Sequence, residues 1–167
     1  MLSDSDYEQM QENLPGYCSE ASGRLVAELN AAREQNRAID TLNKLLGCKW
    51  LGKSPVAILQ KPLALVFGND SATAILDATL KQQDVNSIDE AIKKVESAIK
   101  DAESKQEKIM EAGNDYGVYH ARLSETLSCK ELRPLDNIVG QTKQLANEYK
   151  RYVSLSQQLK SVLQNCK

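Results

Sequence analysis

A single histidine, His120, serves all 167 residues, and the four cysteines form no Cys-x-x-Cys pair. The imidazole and thiolate spacing of a zinc site is therefore missing, and no cofactor or metal is expected. No Lys/Arg block occurs. With 21 basic against 23 acidic residues the formal charge is −2, so nothing marks a nucleic-acid footprint. Long apolar runs are also missing. The longest, Trp50 to Phe67, is interrupted by Lys53, Pro55, Lys61 and Pro62, which is too short and too broken for a transmembrane helix. Met1 to Gln11 has neither a basic n-region nor an apolar h-region, as in a cytosolic protein or a mature chain with an added start methionine. Apolar–polar alternation over five or more residues is absent, so no strand pair is expected.

What the chain does have is helical period. Apolar residues make up 41% and charged residues 26%, an ordinary globular composition. A chain this size hides roughly 69% of its unfolded surface, enough for one core in a single domain, 1–167. Leu25, Leu29, Ala32, Asn36, Ile39, Leu42 and Leu46 alternate by three and four, with Gly47 as a natural C-terminal cap. The one polar intruder, Asn36, needs a buried partner.

A second seam runs Ile88, Ile92, Val95, Ile99, Ala102, Gln106 and Ile109, then in phase through Gly113, Tyr116, His120, Leu123 and Leu127. It predicts one helix of about 40 residues, kinked near Gly113-Asn114 and Gly117. A third helix is expected from Pro134, with the seam Ile138, Thr142, Leu145, Tyr149, Tyr152, Ser156, Leu159, Leu163 and Cys166. Residues 1–17 read as an arm with a short helix, capped by Ser5 and Glu8 and stopped at Pro15-Gly16. Residues 49–83 keep no single period and read as short helices starting at Pro55, Pro62 and Ala72. The fold class is all-α, an elongated antiparallel bundle of three long helices plus a broken fourth segment.

Cys18, Cys48, Cys129 and Cys166 all fall at expected helix ends, where disulfides staple a bundle. If 49–83 spans the bundle, Cys48 meets Cys129 and Cys18 meets Cys166. If it only caps one end, the pairs become Cys18–Cys129 and Cys48–Cys166. Either scheme places the protein in an oxidising compartment: secreted, periplasmic or cell-surface. Four free thiols would place it in the cytoplasm.

Two constellations invite chemistry. Residues 47–54 match the phosphate-loop pattern GxxxxGK[ST], with Lys53 and Ser54 in the working positions. The context opposes it, because the match leaves a helix and puts Trp50 and Leu51 where phosphate approach needs small residues. His120 with Tyr116, Tyr119, Tyr149 and Tyr152 is the stronger group. With a hairpin turning near residue 131, four tyrosines and one histidine crowd a single layer beside two glycines. Tyrosine suits contact surfaces, giving large apolar area with a polar tip. An acidic stripe, Glu103, Glu107 and Glu111, reads as a solvated face.

With no assembled acid–base pair or nucleophile, binding is expected rather than catalysis. The expectation is a non-enzymatic, exported protein-binding module of the host-interaction, inhibitor or receptor-ectodomain type. Its partner is another protein, met through the tyrosine layer and the Trp50 end. An intracellular scaffold or adaptor pairing its seams in a coiled coil is the alternative, and nucleotide binding at 47–54 is third.

Overall fold

The computed structural model describes residues 2–45, 56–70, 72–73 and 85–165. Among the described residues the helices of the bundle are α1 (Asp4–Glu12), α2 (Leu14–Leu45), α3 (Val56–Phe67), α4 (Val85–Leu123) and α5 (Cys129–Asn165). No strand occurs among the described residues. Of the expected elements, residues 47–54, Cys48 and Cys166 lie outside them.

Local chemistry moves several boundaries. α1 starts at Ser3, not Ser5: the Asp6 amide donates to Ser3 Oγ, and the Ser3 amide and hydroxyl both donate to Asp6 Oδ2 at 2.8 Å. Starting there places Asp6 at the third helical position, where it also accepts from Tyr17. Pro15 does not end a helix but begins one. It is the second residue of α2, a position whose N–H has no helical partner to lose. Asn13 is the hinge, closing α1 and accepting from the Gly16 amide at 3.1 Å to cap α2. A Cβ on Gly16 would meet the Asn13 side chain, which would have to shift from its capping position.

α4 ends at Leu123, four residues before the expected Leu127, and residues 124–127 turn back. Ser128 and Glu131 then form a capping box that starts α5 at Cys129 rather than Pro134. Pro134 therefore sits inside a helix, and the fully buried Leu135 and the nearly buried Leu132 join the core. α3 likewise runs through Pro62 as one helix instead of two, ending at Gly68 with φ +85°, a left-handed cap.

The chain divides into two compact units. Unit 1 comprises Met1–Ala32 and Ser104–Tyr149, and unit 2 Arg33–Glu103 and Lys150–Lys167. In unit 2, Ile39 and Leu42 of α2, Leu63 of α3, Val95 and Ile99 of α4 and Leu159 of α5 share one core. Glu96 pairs with Lys160 of α5 at 3.1 Å. In unit 1, Met10, Leu14, Leu25, Leu29, Leu135, Ile138 and Leu145 share another. There α4 and α5 are antiparallel: Gly113 faces Thr142, and seven residues further on α4 His120 faces Asp136. A Cβ on Gly113 would lie 2.7 Å from Thr142 Oγ1, so that glycine marks a close helix approach. α4 stays one helix through Gly113, Asn114 and Gly117.

Among the described residues no disulfide staple is formed. Cys18 and Cys129 are free thiols, which removes both pairs of the first scheme and Cys18–Cys129 of the second. The reason is helical placement. α2 begins before Cys18, which therefore points into the unit 1 core, and Cys129 opens α5 on the outside. Burial pushes the Cys18 thiol up to about 11, which leaves on the order of one thiolate per thousand at pH 8. In the native protein a maleimide is expected to label Cys129 on the order of a hundredfold faster than Cys18. Mass spectrometry of a labelling time course reads this, and equal rates would contradict the burial.

Candidate functional site

The tyrosine group expected at one level divides. Tyr116, Tyr119 and Tyr149 belong to the unit 1 cluster, and Tyr152 is buried in unit 2. The hairpin turns about three residues earlier than expected, so Tyr116 lies level with about Val139. Tyr149 is then ~15 Å further along α5. Two tyrosines that the period did not single out, Tyr7 and Tyr17, complete the unit 1 cluster. Five of the six tyrosines thus gather there. No signal along the sequence marks them, because their places depend on α1 folding back over Tyr119.

Around Tyr119 the contacts are specific. Its hydroxyl donates to the Ser3 carbonyl at 3.1 Å, and its ring lies 4.9 Å from that of Tyr7. The Arg122 guanidinium sits 4.2 Å from the Tyr7 centroid, a cation–π contact. The Leu2 amide donates to Asp115 at 2.8 Å. Tyr17 donates to the Asp6 carboxylate at 3.1 Å. Burial raises the hydroxyl pKa of Tyr17, Tyr116 and Tyr119. The Tyr116 hydroxyl and Asp6 add to this for Tyr17, and Asp115 with Asp4 and Asp6 for Tyr119. Tyr149 is raised by burial and Glu28. All stay neutral donors at physiological pH.

His120 is half-buried and bonds Asp136 Oδ1 through Nε2 at 2.7 Å across the hairpin. Trp50 lies outside the described residues. At the α1–α2 elbow a cavity of about 350 Å³ is lined by Gln9, Glu12, Asn13, Gly16, Tyr17 and Glu20. Among the described residues no three or more His, Cys, Asp or Glu gather as metal ligands, and no helix is long and apolar enough to cross a membrane. No family model, curated protein or solved structure matches the chain.

Asp6 joins the cap of α1 to Tyr17, and its pKa is lowered from 3.8, chiefly by the Ser3 backbone bond. A depressed folded value means that its stabilisation is complete above about pH 4 and is lost as pH falls through the folded pKa. Acid is therefore expected to loosen α1, and Asp6→Asn to abolish that acid step while weakening α1 docking at neutral pH by about 1 kcal/mol. The Tyr7 ring resonances report this directly; an unchanged acid transition in the variant would rule it out.

Proposed function

We infer that the chain is a non-catalytic protein-recognition module acting through the tyrosine-rich face of unit 1. The supporting observation is that Tyr7, Tyr17, Tyr116, Tyr119 and Tyr149 all pack in one cluster. Polar-tipped rings of this kind supply contact area at low rotamer cost once they are uncovered to a partner. Nearby on α4, Val118 is 56% and Met110 53% exposed, apolar side chains without cover on an otherwise polar helix face. The partner is another protein.

The thiols bear on the setting. Export rested on two staples, and Cys18 and Cys129 are both free. A buried, unreactive Cys18 fits a reducing compartment, so the scaffold or adaptor setting is favoured over an exported one.

Photo-cross-linkers placed one at a time along the helices, in extract of the source cells, test the reading. Adducts to one protein that cluster at Val118, His120 and Tyr149 are expected. Adducts scattered evenly over both units, or formed only with the chain itself, would overturn it.

A further inference from the structure

The rings of Tyr17, Tyr116 and Tyr119 lie beneath or beside α1, and α1 is held in a manner that permits exchange. Nine residues are too few for a helix to stand alone in water, so α1 is helical because it is docked. The docking is built from one buried side chain, Met10, two partly buried ones, Leu2 and Tyr7, and a set of polar ties. Those ties are Leu2 to Asp115, Ser3 to Tyr119, Asp6 to Tyr17 and Tyr7 to Arg122. Each could be made equally by another helix carrying the same groups.

The connection does not resist departure. A single residue, Asn13, links α1 to α2, and the bond that caps α2, from Gly16 to Asn13 Oδ1, involves no atom of α1. α2 therefore keeps its N-terminus when α1 leaves. The cavity at the elbow is lined by the last turn of α1 together with Gly16 and Glu20. Beneath lie the hydroxyls of Tyr17, Tyr116 and Tyr119, so the opened face is amphipathic rather than bare hydrocarbon.

Charge says what fits. Asp4, Asp6, Glu8 and Glu12 are the charged residues of α1, with no basic one among them. The face it covers presents Arg122 on Tyr7, and the positive charge of Arg24 acts on Asp6 and Tyr116. We propose that α1 is a displaceable cover, and that the groove floored by Tyr17, Tyr116, Tyr119 and Leu123 takes in its place a short acidic amphipathic helix of a partner protein. Asp6-Tyr7-Glu8-Gln9-Met10 is the pattern: an acid for Tyr17, an aromatic for Tyr119 and Arg122, and a long apolar side chain three residues later. This deepens the recognition reading and rests on it.

The test uses the full chain and a fluorescent peptide of residues 1–13 as probe. A tethered helix competes at an effective concentration near the millimolar range, so the intact chain binds the probe weakly. Tyr7→Ala with Met10→Ala loosens the cover without touching the groove, and should bind the probe at least about tenfold more tightly than the intact chain. Adding Arg122→Gln should return binding toward the intact level, and a scrambled probe should not bind. Equal binding by intact and loosened chains overturns the proposal, as does equal binding of the scrambled probe. A loosened chain that dimerises by exchanging α1 gives the groove to a second copy and also overturns it. Should the double variant not fold, Met10→Cys in the otherwise unaltered chain replaces it. Labelling at position 10 at least about a hundredfold faster than at Cys18 supports a cover that opens alone, and matched rates overturn it. Probe binding without any partner cross-link at unit 1 leaves the cover and removes the recognition reading. A partner cross-link with the position 10 label still blocked does the reverse.

Discussion

Raising the pH from 10 to 12 removes about 2 kcal/mol of stability through Tyr152 alone, whose hydroxyl is pushed up to about 12 by burial and by Asp101. The sign follows from the direction. A tyrosine with a folded pKa above its unfolded value binds its proton more tightly when native, so its contribution is complete below pH 10 and lost as pH rises through the folded value. Tyr17, Tyr116, Tyr119 and Tyr149 are shifted the same way, which steepens the fall. Urea unfolding followed by circular dichroism at half-unit pH steps measures it. Tyr152→Phe keeps the ring in its core and removes the ionisable group, so its slope between pH 10 and 12 should be shallower by up to one proton, about 1.4 kcal/mol per pH unit. A slope unchanged by the substitution would mean that Tyr152 is not buried as described.

Two glycines one turn apart on α4 should respond to alanine with opposite signs. At Gly113 the new methyl meets Thr142, which is 1% exposed and donates from Oγ1 to the Val139 carbonyl at 2.6 Å. Thr142 has to rotate away from that bond or the helices have to part. The overpacking cost of about 1–3 kcal/mol outweighs the gain of about 1 kcal/mol from replacing glycine in a helix. At Gly117 a Cβ meets nothing within 4 Å, so Gly117→Ala should stabilise by about 0.5–1 kcal/mol. Urea midpoints of the two variants decide it. Stabilisation by both would mean that α4 and α5 do not approach closely at Thr142.

The same glycines show where sequence is legible and where it stops. Period found the inward positions well: Ile39, Leu42, Val95, Ile138, Leu145, Leu159 and Leu163 are buried as the three-four spacing requires. Period is a property of one helix, however. It cannot tell a glycine that bends a helix from one that admits a neighbour, and Gly113 is the second kind. Boundaries were missed where two signals compete. Ser3-Asp6 and Ser5-Glu8 both spell a cap, and Ser128-Glu131 outranks Pro134. Moving the start of α5 by five residues shifted the hairpin, dispersed the expected tyrosine layer and placed Tyr152 in unit 2. Moving the start of α2 ahead of Cys18 turned an expected staple into a buried thiol. The contribution of Tyr7 and Tyr17 was not legible, because it depends on α1 folding back over Tyr119, a contact between residues more than a hundred positions apart.

Native-state hydrogen exchange of the intact chain at neutral pH tests the displaceable cover most directly. Amides of α1 should exchange through a local opening, at least about a hundredfold faster than those of Tyr116–Leu123 on α4, with the α4 amides still protected. Amides of α1 that exchange only together with those of α4 would show one cooperative unit, and would contradict a cover that leaves by itself.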